Sequence, residues 1–221
     1  MKRGPFVPRF EDLPQTLAIF PLSGVLLLPR GKLPLNIFEP RYLAMTEDAM
    51  KGDRLVGMVQ PMEDGAAGDQ PLVFPIGCAG RITQFAETED GRYLITLTGL
   101  CRFRIERELP LFCGYRRVVP DFSGFEADFK PESGALDRSR LLAALRTYLK
   151  LQKLSADWES IEGAPDERLI TSLAMICPFS CREKQALLES TCLTERARVL
   201  TSLLEMAVLE SAGAGPKAQP H

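Results

Sequence analysis

The chain has 221 residues, 45% of them hydrophobic and 25% charged, which is enough apolar material for one sizeable core or two modest ones and too much for a disordered chain. Its 27 Lys and Arg against 29 Asp and Glu leave a formal charge of −2, so there is no basic excess to neutralise a phosphate backbone, and nucleic acid is a poor partner. The run Val25-Leu26-Leu27-Leu28 stops at Pro29 and Arg30, far short of the roughly 20 residues that cross a membrane, and no membrane partner is expected.

At the start, Lys2 and Arg3 are followed by no apolar stretch, because Phe6 to Pro14 is broken by Pro8, Arg9, Glu11 and Asp12; the expected location is cytoplasmic. Cys78, Cys101, Cys113, Cys177, Cys181 and Cys192 lie in or beside apolar segments, where a thiol acts as a small hydrophobe, and no disulfides are expected. Only Cys177 and Cys181 have zinc-ligand spacing. With no second pair, and with His221 the single histidine, no metal or other cofactor is expected.

The first 120 residues read as β-rich, with short apolar runs between Pro and Gly punctuation. Leu17–Phe20, Val25–Leu28, Leu35–Phe38, Leu55–Val59 and Leu72–Phe74 are the expected short strands. Gly80–Phe85 and Tyr93–Thr98 form an expected hairpin closed at Asp90-Gly91, with Tyr93, Ile95 and Leu97 on one face and Thr96 and Thr98 on the other. Beyond Gly99, a natural bulge or barrel corner, Cys101–Ile105 alternates again as a second strand or a bent continuation. One helix interrupts the strands: Glu39-Pro40 opens it, Tyr42, Met45 and Ala49 mark a face, and Gly52 is expected to close it in a left-handed cap. Many short strands with one inserted helix suggest a small barrel.

From about Leu136 the period changes to 3.6. Leu141, Leu145, Tyr148 and Leu149 make one stripe, Leu169, Leu173 and Ile176 a second, and Leu200, Leu203, Leu204 and Ala207 a third. Ser180 with Glu183 reads as a capping box, and Thr194 precedes Glu195 at the last helix. The expected organisation is therefore α+β: a barrel over residues 14–121, a turn-rich linker over 122–134, a helical bundle over 135–210 and a disordered tail over 211–221.

Several blocks in fixed order are more specific. Ile19-Phe20-Pro21-Leu22, Leu33-Pro34-Leu35-Asn36-Ile37-Phe38-Glu39-Pro40-Arg41-Tyr42, Gly57-Met58-Val59, Gly77-Cys78-Ala79-Gly80-Arg81 and Gly99-Leu100-Cys101-Arg102-Phe103 resemble the amino-terminal, substrate-recognising domain of Lon proteases, closely over residues 14–120 and more loosely beyond. The resemblance implies a PUA-like pseudo-barrel followed by a helical bundle, and a module that binds unfolded or extended polypeptide, in a groove between the two parts, without an ATPase or a peptidase of its own. The same barrel class hosts RNA binding, so an RNA-binding module and an adaptor delivering clients to a separate protease stand as alternatives.

No catalytic residue is expected. The string G-x-x-x-x-G-K-[ST], whose backbone cradles phosphates, is absent. Ser211-Ala212-Gly213 near Lys217 resembles the Lon catalytic serine's setting, but a floppy tail cannot preorganise an oxyanion hole or a desolvated lysine. Phe38, Glu39, Pro40, Arg41 and Tyr42 form the candidate binding cluster, with capping and packing accounting for much of it: Glu39 at a helix start, Arg41 paired nearby, Tyr42 packed. Arg102, Arg104, Arg116 and Arg117 alternate with aromatics and are expected on the solvated face of strands.

Overall fold

The computed structural model describes residues 8–62, 70–132 and 134–213 of the chain. The elements are β1 (Leu17–Pro21), β2 (Lys32–Ile37), α1 (Pro40–Lys51), β3 (Leu55–Val59), β4 (Ile76–Glu87), β5 (Tyr93–Phe112), β6 (Tyr115–Asp121), α2 (Arg138–Leu151), α3 (Trp158–Gly163), α4 (Asp166–Ile176), α5 (Cys181–Glu189) and α6 (Leu193–Gly213). They fall into two compact units. The first takes the described residues up to Pro131 with Pro178–Leu188, and the second takes Glu132–Cys177 with the described residues from Glu189 onward.

The first unit is built on one six-stranded sheet in the order β2-β5-β4-β3-β1-β6, and a further pairing of β6 with β5 turns the sheet back on itself as a barrel. Closure depends on the length of β5. Tyr93–Thr98 pairs with β2, Tyr93–Arg104 with β4, and Arg104–Phe112 with β6, so one 20-residue strand serves three neighbours. It turns the corner at a bulge: Ala79 lies opposite Cys101 and Gly80 opposite Gly99, which leaves Leu100 extra. The continuation reading of Cys101–Ile105 is thus the observed one. Gly99 is obligatory here, because a Cβ would stand 2.0 Å from the Leu28 carbonyl oxygen that crosses over it. Ile95 and Leu97 point into the core as the alternation predicts, alongside Leu17, Ile19, Ala79, Cys101, Phe103 and Val118.

Several strand expectations change. Val25–Leu28 joins no strand, although Leu26, Leu27 and Leu28 are buried. Three consecutive buried side chains are not a one-faced strand, and the backbone here is held by side chains: Lys184 Nζ donates to the Gly24 carbonyl and Gln60 Nε2 to that of Val25. Leu72–Phe74 forms a single bridge, Val73 with Pro61, and Phe38 lies just past the end of β2. β6 carries no apolar run, being interrupted by Arg116, Arg117 and Pro120, and is a strand through its two neighbours.

Pro40 opens α1 as expected, and Tyr42, Met45 and Thr46 are its buried residues. Gly52 ends it at φ −112°, which is not left-handed; Arg54 holds the left-handed position at φ 60°, its N–H bonded to the Ala49 carbonyl at 2.9 Å. Within the expected linker, Ser123–Phe129 is ordered as 3-10 turns and Asp128 is 1% exposed. The Ser180–Glu183 box forms in both directions, at 2.8 and 3.3 Å.

In the second unit, Asp137 caps α2 through the Arg140 N–H at 3.0 Å, and Asp157 caps α3 through that of Ser160 at 3.2 Å. Leu141, Leu145 and Tyr148 are buried on α2, and Leu200 and Leu204 on α6. On α4 the buried face is Leu169, Ile170, Thr171 and Ala174, and Ile176, expected in the stripe, is 78% exposed at the helix end. At the start of α6 the Glu195 carboxylate accepts from Thr191, from its backbone N–H at 2.7 Å and its hydroxyl at 2.6 Å. α6 runs on through Ser211–Gly213, where a tail was expected; Ser211 Oγ donates to the Ala207 carbonyl at 2.8 Å. Residues 214–221, with Lys217 and His221, lie outside the described residues.

Candidate functional site

The five candidate residues follow β2 directly, and the strand-to-helix junction separates their roles. Phe38 leaves the sheet with its side chain 60% exposed, the Arg92 guanidinium 6.0 Å from its ring centre. Glu39 occupies the N-cap position but makes no side-chain cap bond; its Oε2 instead takes Arg41, at 3.0 Å from Nε and 2.9 Å from Nη2. The expected capping role thus gives way to pairing, which satisfies a half-exposed carboxylate with two charge-assisted bonds. Tyr42 packs inward as expected, its ring 4.1 Å from that of Phe20, with the Arg41 guanidinium 4.9 Å from its centre. Pro40 serves the helix start.

Phe38, Glu39, Arg41 and Tyr42 border a cavity of about 310 Å³ whose described lining lies within the first unit. Phe20, Pro21, Leu22 and Ser23 make one wall, Leu35, Asn36, Ile37 and Phe38 a second; Glu39, Arg41 and Tyr42 close one end, and Pro61 and Pro71 contribute two further apolar faces. Among its described lining residues the one acid, Glu39, and the one base, Arg41, pair with each other, so the cavity combines apolar walls with the polar groups of Ser23 and Asn36. Pro40 is not in its walls. The β1-end wall and the two prolines were absent from the sequence-derived cluster; the signal for the wall was Phe20-Pro21-Leu22, an apolar run at the end of β1.

The basic residues of the strand region are placed differently from expectation. Arg102 and Arg116 are 4% and 7% exposed, the first paired with Asp128 and the second with Glu108 and the Pro71 carbonyl. Each replaces lost hydration with ionic partners, which is how a guanidinium tolerates burial. Arg104 is exposed, and Arg117 lies 4.6 Å from the Phe112 ring centre. Two of the four guanidiniums therefore cannot reach a phosphate strand.

Beside α1, the Tyr115 hydroxyl donates to Asp48 Oδ2 at 3.0 Å, and burial together with that carboxylate pushes the phenol up to about 12. Burial also pushes the Cys101 thiol up, away from the reactive thiolate. All six cysteines are free, and no cluster of three or more His, Cys, Asp or Glu suited to a metal occurs among the described residues. No helix among them is long and apolar enough to cross a membrane.

A family model described as the ATP-dependent protease La (LON) substrate-binding domain matches residues 16–206. The chain belongs to this family. Lon protease 2 of Myxococcus xanthus is 27% identical over 202 residues, covering 88% of this chain and 24% of the relative. Lon protease of Heliobacterium modesticaldum is 28% identical over 205 residues, covering 89% and 25%. The chain therefore spans about a quarter of the length of these curated relatives. Among solved structures, a Lon N-terminal domain protein from Xanthomonas campestris matches with a TM-score of 0.57 at 25% identity, over 85% of this chain and 97% of that one. The N-terminal domain of the Mycobacterium avium complex Lon protease matches in fold, with a TM-score of 0.59 at 18% identity over 86% and 98%. The LON substrate-binding domain thus accounts for both units, the barrel and the helices that follow it.

Proposed function

We propose that this LON substrate-binding domain captures extended, apolar-rich segments of unfolded polypeptide at the cavity bordered by Phe38, Glu39, Arg41 and Tyr42, and itself performs no chemistry. The observation that carries the reading is that cavity's described lining: proline, leucine and aromatic side chains beside the polar Ser23 and Asn36, with its two charged residues, Glu39 and Arg41, paired to each other. Such a site gains binding energy from apolar contact and penalises an unpaired charge. The family's substrate-binding description supports the same reading. Cytoplasmic residence and an adaptor role, handing the captured segment to a separate protease, are extensions of it.

The burial of Arg102 and Arg116 counts against RNA, which needs a concentrated basic surface. Titration with a labelled unfolded polypeptide and with a short RNA, each at two salt concentrations, tests the choice. Polypeptide binding of about micromolar strength that changes little with salt is expected, because a disordered client must lose conformational freedom to dock. RNA binding that weakens about a thousandfold between low and moderate salt, with no polypeptide binding, would overturn the proposal.

A further inference from the structure

β2 pairs with β5 along one side, and its other side meets no strand among the described residues. The phase of that ladder is set just before β2, where the Gly99 N–H donates to the Gly31 carbonyl at 2.9 Å. Bonded and non-bonded pairs alternate along an antiparallel ladder, so Leu33, Leu35 and Ile37 turn their N–H and C=O groups toward β5. Lys32, Pro34 and Asn36 turn theirs to the open side. Pro34 agrees with this phase, since proline is tolerated in a sheet where its missing N–H faces away from the partner strand.

The open side therefore offers an acceptor at Pro34 and both a donor and an acceptor at Asn36. Asn36, with Leu35, Ile37 and Phe38, walls the cavity opposite Phe20–Ser23. The facing strand does not close this seam: β1 pairs with β3 at Ile19–Pro21 and with β6 at Leu17–Ile19, and with no residue of β2. An edge whose backbone groups lack a strand is a template for one. Resting on the polypeptide-capture reading, we propose that the client docks as an added β-strand on the open edge of β2. Its backbone pairs with Pro34 and Asn36, and an apolar side chain enters the cavity. The occupant is extended and uncharged at that position, because the two charged residues of the described lining, Glu39 and Arg41, are already engaged with each other. Strand addition of this kind takes affinity from the main chain and specificity from alternate side chains.

The test uses the full chain and a fluorescent ten-residue peptide with leucine at alternate central positions and threonine and serine elsewhere. A single backbone N-methyl group is walked along the peptide. Losses of about tenfold at every second central position are expected, because only alternate N–H groups face β2. On the protein side, Asn36→Pro removes an outward N–H without touching the pairing to β5, and a loss of about tenfold is expected there too. An unmodified peptide that binds and is weakened by Phe38→Ser, yet shows a flat N-methyl profile, would overturn strand addition and leave polypeptide capture standing. No binding would overturn the capture reading itself, and binding indifferent to Phe38→Ser would move the client's contact away from this cavity and overturn strand addition beside it. Sedimentation showing a dimer abolished by Asn36→Pro would assign the edge to a second copy of the chain and overturn the proposal.

Discussion

Arg102 and Asp128 face each other inside the first unit with side chains 5% and 1% exposed, Nη2 2.8 Å from Oδ1 and Nε 3.0 Å from Oδ2. Asp128 Oδ2 also accepts the Arg102 backbone N–H at 2.8 Å, and Arg102 Nη1 donates to the Leu188 carbonyl at 3.1 Å. One pair thus ties β5 to the Ser123–Phe129 turns and to α5. Removing one partner strands the other in a dry site, so Asp128→Ala should destabilise by about 3–5 kcal/mol. The double variant Arg102→Met with Asp128→Leu should recover a large part of that. Urea unfolding midpoints check both, and an Asp128→Ala loss below about 1 kcal/mol would contradict the role given to the pair.

Gly99 and Gly91 should respond differently to alanine. At Gly99 the new Cβ meets the Leu28 backbone at 2.0 Å, and backbone cannot rotate away, so Gly99→Ala should cost at least about 1–3 kcal/mol. At Gly91, in the β4–β5 turn, nothing lies within 4 Å and only the left-handed φ of +77° is strained, a cost of about 1–2 kcal/mol. Thermal unfolding of the two variants side by side would show whether the crowded corner or the open turn is the more sensitive.

What the sequence revealed and what it concealed follow from the range of the forces. Local rules placed the β4–β5 hairpin at Asp90-Gly91, the start of α1 at Pro40 and the box at Ser180, because each depends on residues a few positions apart. The leucines at 26–28 were legible as buried but not as irregular backbone, since Lys184 and Gln60, which hold that segment, are remote in the chain. Arg102 and Arg116 looked solvated for the same reason: Asp128 and the Pro71 carbonyl are 26 and 45 positions away. At the candidate cavity, Phe38, Glu39, Arg41 and Tyr42 are near neighbours in the sequence and could be grouped from it, whereas the wall at Phe20–Ser23 needed the fold to bring it there.

Tyr115 predicts an alkaline signature. Its folded value of about 12 lies above the ordinary value of 10.0, so the folded state favours the neutral phenol, through burial first and the bond to Asp48 second. The associated stability is fully present below pH 10 and is lost as pH rises from about 10 to about 12. Between pH 9 and pH 11 the unfolding free energy of the unmodified chain should therefore fall more than that of Tyr115→Phe, with groups common to both cancelling. Equal slopes would mean that Tyr115 titrates normally.

Phe38 and Tyr42 should separate binding from stability. Both border the cavity, but Phe38 is 60% exposed while Tyr42 is 9% exposed and stacked on Phe20 at 4.1 Å. Phe38→Ser removes surface that water already reaches, so stability should change by less than about 0.5 kcal/mol. If the cavity captures polypeptide, the same change should weaken an unfolded client by about tenfold, because an exposed aromatic beside a groove contributes mainly when covered. Tyr42→Ala empties a packed position and should cost about 3 kcal/mol whether or not a client is present. Denaturant unfolding and fluorescence anisotropy on the same two variants give four numbers. Weakened binding in Phe38→Ser at unchanged stability supports capture at this cavity; undiminished binding in that variant would move the client's contact elsewhere on the molecule.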